Sequence, residues 1–360
     1  MPSNLINLSI LNNNNSRFTT SGTTSSSFIN FLNIYVCSLI IVVGIIGNMI
    51  SFRIFLKSGK KQSKSKIITK NLLILLSISN SIYLVLFWYY SVFPRTQSAF
   101  FKKLFIFNSN VFVCKFISYW ISIAICINSL ITASFSLQRA LVINFPLKFN
   151  NFKENNKNVF KAIIFVACFI STILPIYNLI LTNLTQRNIH ADIKCDIPVH
   201  YEATYLNLTI FFIILTLPVP FLVILISNTS ILIAIDRNRR QFLSNRLVDT
   251  SKIDKSMRLT KILITISTSF VLLNFPYFIA WLRYALFRVN INRGLSYIDD
   301  EQIKKLSDLY DMVKITEIFN LFNYAFIGFL YFVSGRIFRN HLNSVIGLNP
   351  IIAKSILEET

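Results

Sequence analysis

Charge is scarce in this 360-residue chain. Only 14% of its residues are Asp, Glu, Lys or Arg, where a soluble domain carries about a quarter. That deficit excludes a single soluble globular domain. Histidine is scarcer still, with three residues, all in loops or the tail. No apolar stretch holds an acid pair, a His cluster or a Ser/His set, which speaks against an intramembrane enzyme. A cleavable leader is also missing. Residues 1–27 are rich in Asn, Ser and Thr with Arg17 as their one charge, and lack the basic start and short apolar core of a signal peptide. The first apolar run is therefore expected to act as a retained anchor. No solenoid repeat is visible.

What the chain does have is apolar length. Hydrophobic residues make up 53% of it, gathered into runs of about 20 residues, the length that crosses a bilayer as a helix. In lipid the backbone finds no water, so each run must satisfy its own amides. Seven runs stand out, at 29–56, 68–92, 111–138, 158–181, 204–235, 259–285 and 309–333. The seventh is the weakest, because Lys314 and Glu317 lie in its first turns. The expected fold is an all-α membrane protein, a seven-helix transmembrane bundle. Its expected parts are a glycosylated outer tail at 1–27, the bundle at 28–345 and a short inner tail at 346–360.

Orientation comes from Lys and Arg. With the N-terminus outside, 23 of the 36 basic residues fall on the inner segments and 13 on the outer ones; the acids divide 6 inside and 9 outside. Basic residues concentrate on the cytoplasmic side, so this orientation is expected, in a multi-pass plasma membrane protein. The densest block, "RIFLKSGKKQSKSKIITK", reads as an inner anchor beside anionic lipid. Nucleic acid is not an expected partner despite the net charge of +21, since no aromatic-basic module accompanies the charge. The sequons at Asn7, Asn14 and Asn183 fall outside and are expected glycosylation sites. The one at Asn228 lies within span five and reads as a chance match.

Of the five cysteines, Cys37, Cys126 and Cys168 sit within apolar runs and read as small buried hydrophobes. Cys114 and Cys195 fall on the outer, oxidising side and can pair as a disulfide. The loop "HADIKCDIPVHYE" holds His190, Asp192, Asp196, His200 and Glu202. Their spacing matches no closed metal site, so no metal and no cofactor is expected.

On these spans the chain resembles the rhodopsin-like (class A) G protein-coupled receptors. "GIIGN" puts Asn48 at the family's asparagine of span one, and "NLLILLSISN" puts Asn80 at its span-two aspartate. Cys114 and Arg139 stand 25 residues apart, as the disulfide cysteine and the arginine do in the family. "LVINFPLKF" is similar to its second inner loop. Phe270 and Pro276 in "FVLLNFPYF", and Tyr331 in "IGFLY", match further anchors, with Pro220 in span five. "SGRIFRNHL" resembles the short amphipathic eighth helix. The resemblance implies an extracellular ligand and a heterotrimeric G protein as partners, besides the lipid bilayer. The departures are specific. Gln138 replaces the acid beside the arginine, Ala140 its tyrosine, Asn80 the sodium-site aspartate and Asn274 the switch tryptophan. Ile327-Gly328 stands where the family has Asn-Pro, and span four lacks its tryptophan. With these changes the chain is expected to be insensitive to sodium and to switch through uncharged contacts. A transporter or channel is the alternative reading; it wants mirrored repeats with paired Gly/Pro breaks, which the spans do not show.

Helical spacing places Ile121, Ile125, Asn128, Thr132, Phe135 and Arg139 on one face of span three. Polar groups in lipid seek partners, so this face should point into the bundle. Asn80, Asn128, Asn323 and Asn48 then form an uncharged polar core, as structural glue or as a switch. Pro276 frees a carbonyl, and Asn274 is placed to bond one. Gln138, Arg139, Phe270, Asn274, Pro276 and Tyr331 form the expected coupling and switch set. On the ligand side, resemblance to aminergic members would require an aspartate at Ile121, and resemblance to opsins a lysine at Leu321; neither is present. Glu317 is an acid within a span, beneath an acidic rim of Asp299, Asp300, Glu301, Asp308 and Asp311. It suits a basic or amidated neuropeptide-like ligand, with Trp120, Ile121, Tyr277, Trp281 and Tyr284 as walls. The alternative is that Glu317 pairs internally with Lys314 or Arg283.

Overall fold

The computed structural model describes residues 28–57, 64–93, 110–145, 155–186, 194–244, 250–293 and 299–334. Seven helical spans form there. Span one is Cys37–Lys57, preceded by a π-helical turn at Leu32–Val36. Span two is Lys64–Phe87, followed by a second π-helical stretch at Trp88–Val92. Span three is Val111–Asn144. Span four is Asn155–Ile173, continued through Leu174–Ile176 and Tyr177–Leu181. Span five is Glu202–Thr216 and Pro218–Ser244. Span six is Thr250–Arg293 and span seven is Asp300–Ser334. Among the described residues, six of these are long and apolar enough to cross a membrane on composition alone. Span seven begins with charged turns, holding Asp300, Glu301, Lys304, Lys305 and Asp308. At 35 residues it is about 50 Å long, against roughly 30 Å of hydrocarbon. Its charged turns therefore need not enter lipid.

The helix ends follow local chemistry. Asn110 caps span three: its Oδ1 accepts from the amides of Phe112 at 2.9 Å and Val113 at 3.3 Å, two donors with no partner inside the helix. The interruptions in spans four and five fall at prolines. Pro175 sits in the 3₁₀ turn Leu174–Ile176, and Pro218 follows the break at Leu217, because proline supplies no amide and disfavours helical geometry before it. Pro276 lies inside span six, whose helix continues through it. Span three extends to Asn144, six residues past its expected end at 138. Arg139 is therefore more than a turn inside the helix and not at its terminus.

Lipid-facing side chains are apolar and exposed, as in span five's Leu222, Leu225, Ile226, Leu232 and Ile233. Among the described residues the interior holds three buried clusters. One joins spans one, two, three and seven around Leu84, Ile121 and Tyr324. Another joins spans three to seven around Phe212, Phe270 and Trp281. The third lies near the basic end, around Leu72, Leu76 and Phe135. Small residues let two spans touch: a Cβ built on Gly44 would lie 2.6 Å from the Ala325 Cβ and 2.8 Å from its Cα. Close backbone approach of this kind is how helices associate where lipid removes the hydrophobic drive.

Candidate functional site

At one end of the bundle a small hairpin closes over span three. β1 (Asn183–Thr185) pairs antiparallel with β2 (Lys194–Asp196), placing Leu184 opposite Cys195. Cys195 is joined to Cys114, with Cα atoms 5.6 Å apart and both residues buried. Asn183 is exposed on this hairpin; Asn7 and Asn14 lie outside the described residues. Glu202, weighed from the sequence as a metal candidate, is instead the first residue of span five and pairs with Arg288 of span six. Arg288 also donates to the Tyr284 hydroxyl at 2.8 Å. Neither Glu202 nor Arg288 was singled out as a ligand-side residue. Their separation of 86 positions offers no local signal.

Below this pair the expected wall residues divide. Tyr277, Trp281 and Tyr284 are buried in one cluster. Ile121 belongs to the neighbouring one. Trp120 is half-buried and stands beside Phe116, ring centroids 5.7 Å apart. Glu317 is 12% exposed and forms an ion pair at 2.7 Å with Lys314, itself 3% exposed. This is the internal pairing that an i,i+3 spacing allows on a helix. Arg283, the other candidate partner, is exposed. Lys314 also lies over the Tyr310 ring at 5.6 Å. The two pairs place two cations and two anions at this end of the bundle. Asp299, Asp300, Glu301 and Asp308 are exposed above them, with Lys304 and Lys305 interleaved.

At mid-depth the face of span three is buried along its whole length: Ile121, Ile125, Asn128, Thr132, Phe135 and Arg139 are each at most 8% exposed. Asn128 donates to the Asn80 side chain at 2.5 Å, and Asn323 donates to Asn128 at 3.4 Å. Asn48 behaves differently. Its amide donates to the backbone carbonyls of Gly44 and Tyr324, both at 2.9 Å, so it ties span one to the backbone of span seven. The Asn80 amide nitrogen and the Asn48 carbonyl oxygen are buried without a partner among the described residues.

A second uncharged chain was not read from the sequence. Tyr83 donates to Asn320 at 3.2 Å, and Asn320 donates to Asn274 at 2.6 Å. Asn274 in turn donates to the carbonyl of Phe270 at 2.6 Å. This corrects the expected role of Asn274. The carbonyl that Pro276 frees belongs to Leu272, four residues back, and Asn274 reaches the turn before it. The spacing in "NLFN" puts Asn320 and Asn323 on neighbouring faces of span seven, and that was the available signal. A third link joins spans five and six. The Asn228 amide donates to the Ser267 hydroxyl at 2.9 Å, and that hydroxyl donates back to Asn228 Oδ1 at 3.1 Å. Asn228 is 8% exposed, which removes its sequon from reach of glycosylation.

At the far end Gln138 and Arg139 are 1% and 7% exposed. A snorkelling interface anchor holds its guanidinium in the headgroups; Arg139 is instead enclosed by the bundle. Phe270 packs edge-on against Phe221, ring centroids 5.7 Å apart. Tyr331 falls in the last turns of span seven, where its side chain lies outside the described residues. The expected eighth helix and the tail at 346–360 also lie outside them.

The arrangement is a helix bundle with ionic and aromatic groups at one end, an uncharged ladder through its middle and an enclosed arginine at the other. No curated protein matches the sequence. The family model described as 7 transmembrane receptor (rhodopsin family) matches residues 47–323, well over half of the chain, from the middle of span one to the middle of span seven. The chain therefore belongs to the rhodopsin family of seven-transmembrane receptors, multi-pass membrane proteins that signal and are not enzymes.

Proposed function

We propose that this receptor lies in the plasma membrane with its N-terminus outside, glycosylated at Asn7, Asn14 and Asn183. It binds an extracellular peptide-like ligand, a basic or amidated neuropeptide, and activates a heterotrimeric G protein through Arg139 and the inner loops. The observation that carries the ligand side is Glu317, an acid enclosed within a span and paired with Lys314 among the described residues. A peptide Arg or free amine exchanges with Lys314 at that carboxylate, and Tyr277, Trp281 and Tyr284 supply aromatic surface for the incoming cation.

The test is a library of basic and amidated peptides applied to cells carrying the receptor and a promiscuous G protein. Wild type responds to a subset, and Arg139→Ala at equal surface level does not. For an active basic peptide, Glu317→Gln is expected to lower potency about tenfold or more, the size of one charge-assisted contact. Unchanged potency at equal expression removes the counter-charge role.

Two further outcomes follow from the interior. The ladder from Asn80 through Asn128 to Asn323 offers a sodium ion dipoles and no formal charge, a weak hold in a low-dielectric interior. Agonist affinity is therefore expected to be the same in sodium and in potassium buffers. A sodium-specific fall in affinity contradicts this. Gln138 carries no charge beside Arg139, so basal second-messenger output is expected above that of mock-transfected cells. Gln138→Glu should reduce it severalfold by adding an ion pair to the inactive state. Basal output equal to mock, and unmoved by the substitution, counts against the idea.

A further inference from the structure

The ion pair inside span seven is not closed on itself. A lysine ammonium has three N–H donors, and a carboxylate has two accepting oxygens. Lys314 gives one N–H to Glu317 Oε2 at 2.7 Å, and its ammonium lies over the Tyr310 ring at 5.6 Å. Among the described residues no second acceptor takes a Lys314 N–H, and no donor reaches Glu317 Oε1. Yet the pair is enclosed, with 3% of the Lys314 side chain exposed and 12% of the Glu317 side chain. The neighbouring pair is more fully used, since Arg288 divides its fork between Glu202 and the Tyr284 hydroxyl. Asp311, one turn before Lys314, makes a contact of its own and forms no ion pair with Lys314 among the described residues. Neither acid stands in for Glu317.

This arrangement penalises a ligand that brings only a cation. Drawing Glu317 away from Lys314 strands a buried ammonium, which is strongly unfavourable. The Tyr310 ring offsets part of that cost, because a cation–π contact is weaker than the carboxylate it replaces. A ligand that brings both signs avoids the loss. Its cation rests on Glu317 Oε1, its carboxylate receives an unused Lys314 N–H, and the four charges alternate in sign.

We infer that Lys314 and Glu317 together recognise a zwitterionic end of the ligand, a C-terminal Arg or Lys whose α-carboxylate is free. The basic side chain meets Glu317 and the α-carboxylate meets Lys314. A C-terminal amide carries no charge to Lys314, so among basic peptides those with a free terminus are selected. The inference rests on the proposed ligand role of Glu317, and specifies what that ligand carries besides its cation.

The test uses cells carrying full-length receptor and a promiscuous G protein. Pools of short random peptides ending in Arg are applied as free acids and as amides. A pool ending in citrulline acid keeps the carboxylate and lacks the side-chain charge. A pool beginning with Asp and ending in an amide offers a zwitterion at the other terminus. On wild type the Arg acids are expected to be about tenfold more potent than the Arg amides and the citrulline acids, the size of one charge-assisted contact. Lys314→Gln should reverse the order of acid and amide. The acids lose their partner, and the amides gain because Glu317 no longer has an internal cation. Should Lys314→Gln miss the surface, the double variant Lys314→Gln/Glu317→Gln leaves no ion of this pair unpaired and should respond to acids and amides alike. Equal potency of acids and amides on wild type overturns the inference, as does an acid preference that survives either variant, or activity confined to the Asp-first pool. In those cases the ligand role of Glu317 stands if Glu317→Gln still weakens the active peptides. If Glu317→Gln changes nothing, that role fails and the inference with it. Silence from every pool, with receptor present at the surface, counts against both.

Discussion

Replacing Cys114 or Cys195 by serine is expected to remove most receptor from the cell surface. The disulfide closes a loop of 81 residues, for which chain entropy alone gives about 4–5 kcal/mol in a freely unfolding chain. Spans four and five anchor much of that loop in the bilayer, so its freedom is already reduced and the entropic share is smaller. The local consequence is larger. Cys195 is the buried centre of β2, and β2 holds β1 through a three-residue register. Two strands of that length are not stable on their own. Without the bond, the hairpin leaves the end of span three and exposes Leu184 and Ile197, which now pack inward. Surface immunolabelling against total protein measures the effect. Both single variants and the double variant should fail alike, because each loses the same bond. A double variant that reaches the surface at the wild-type level overturns the assignment.

Gly44→Val is expected to be nearly as damaging, for the opposite reason. Here the structure has no room. A Cβ at this position meets Ala325 Cβ at 2.6 Å, Ala325 Cα at 2.8 Å and Leu84 Cδ1 at 2.8 Å. The leucine tip can turn aside, but the Ala325 backbone cannot. Overpacking typically costs about 1–3 kcal/mol. Pushing spans one and seven apart also breaks the bond from Asn48 to the Tyr324 carbonyl, worth about 1 kcal/mol. The thermal midpoint of detergent-solubilised receptor should fall by several degrees or more. Gly44→Ala should fall less, and Ala325→Gly in the Gly44→Ala chain should recover part of the loss, since it removes the nearer carbon. A wild-type midpoint for Gly44→Val would refute the close contact.

The spans were legible because lipid imposes a simple rule: about 20 apolar residues, with backbone amides satisfied within the helix. Their ends were less so. Arg139, Lys314 and Arg288 all sit inside helices that the hydrophobic pattern ended or diluted, because charged turns beyond the hydrocarbon cost a helix nothing. Within the site, the bond between Asn80 and Asn128 was readable, since helical spacing placed Asn128 on the face of span three that seeks partners. Asn320, Asn274 and Tyr83 were not read as one chain. Their contact depends on how spans two, six and seven rotate against one another, and a single helix carries no record of that. Glu317 shows the limit of reading acids singly: its partner Lys314 lay one turn away, and enclosure, not sequence, decided that the two would pair.

The link from Asn228 to Ser267 has a mechanical consequence. Thr268 adds a third contact, its hydroxyl accepting from the Asn228 amide at 3.3 Å. Together these act as a strut between two helices that also meet through apolar side chains and, at the opposite end, through the Glu202–Arg288 pair. If span six swings about Pro276, the strut transmits the displacement, and the lower half of span five moves with it. Swinging alone would mean severing bonds worth roughly 1–2 kcal/mol in a bilayer. Such an opening is the displacement of a braced pair rather than of one lever, and the braced pair begins below the break at Leu217.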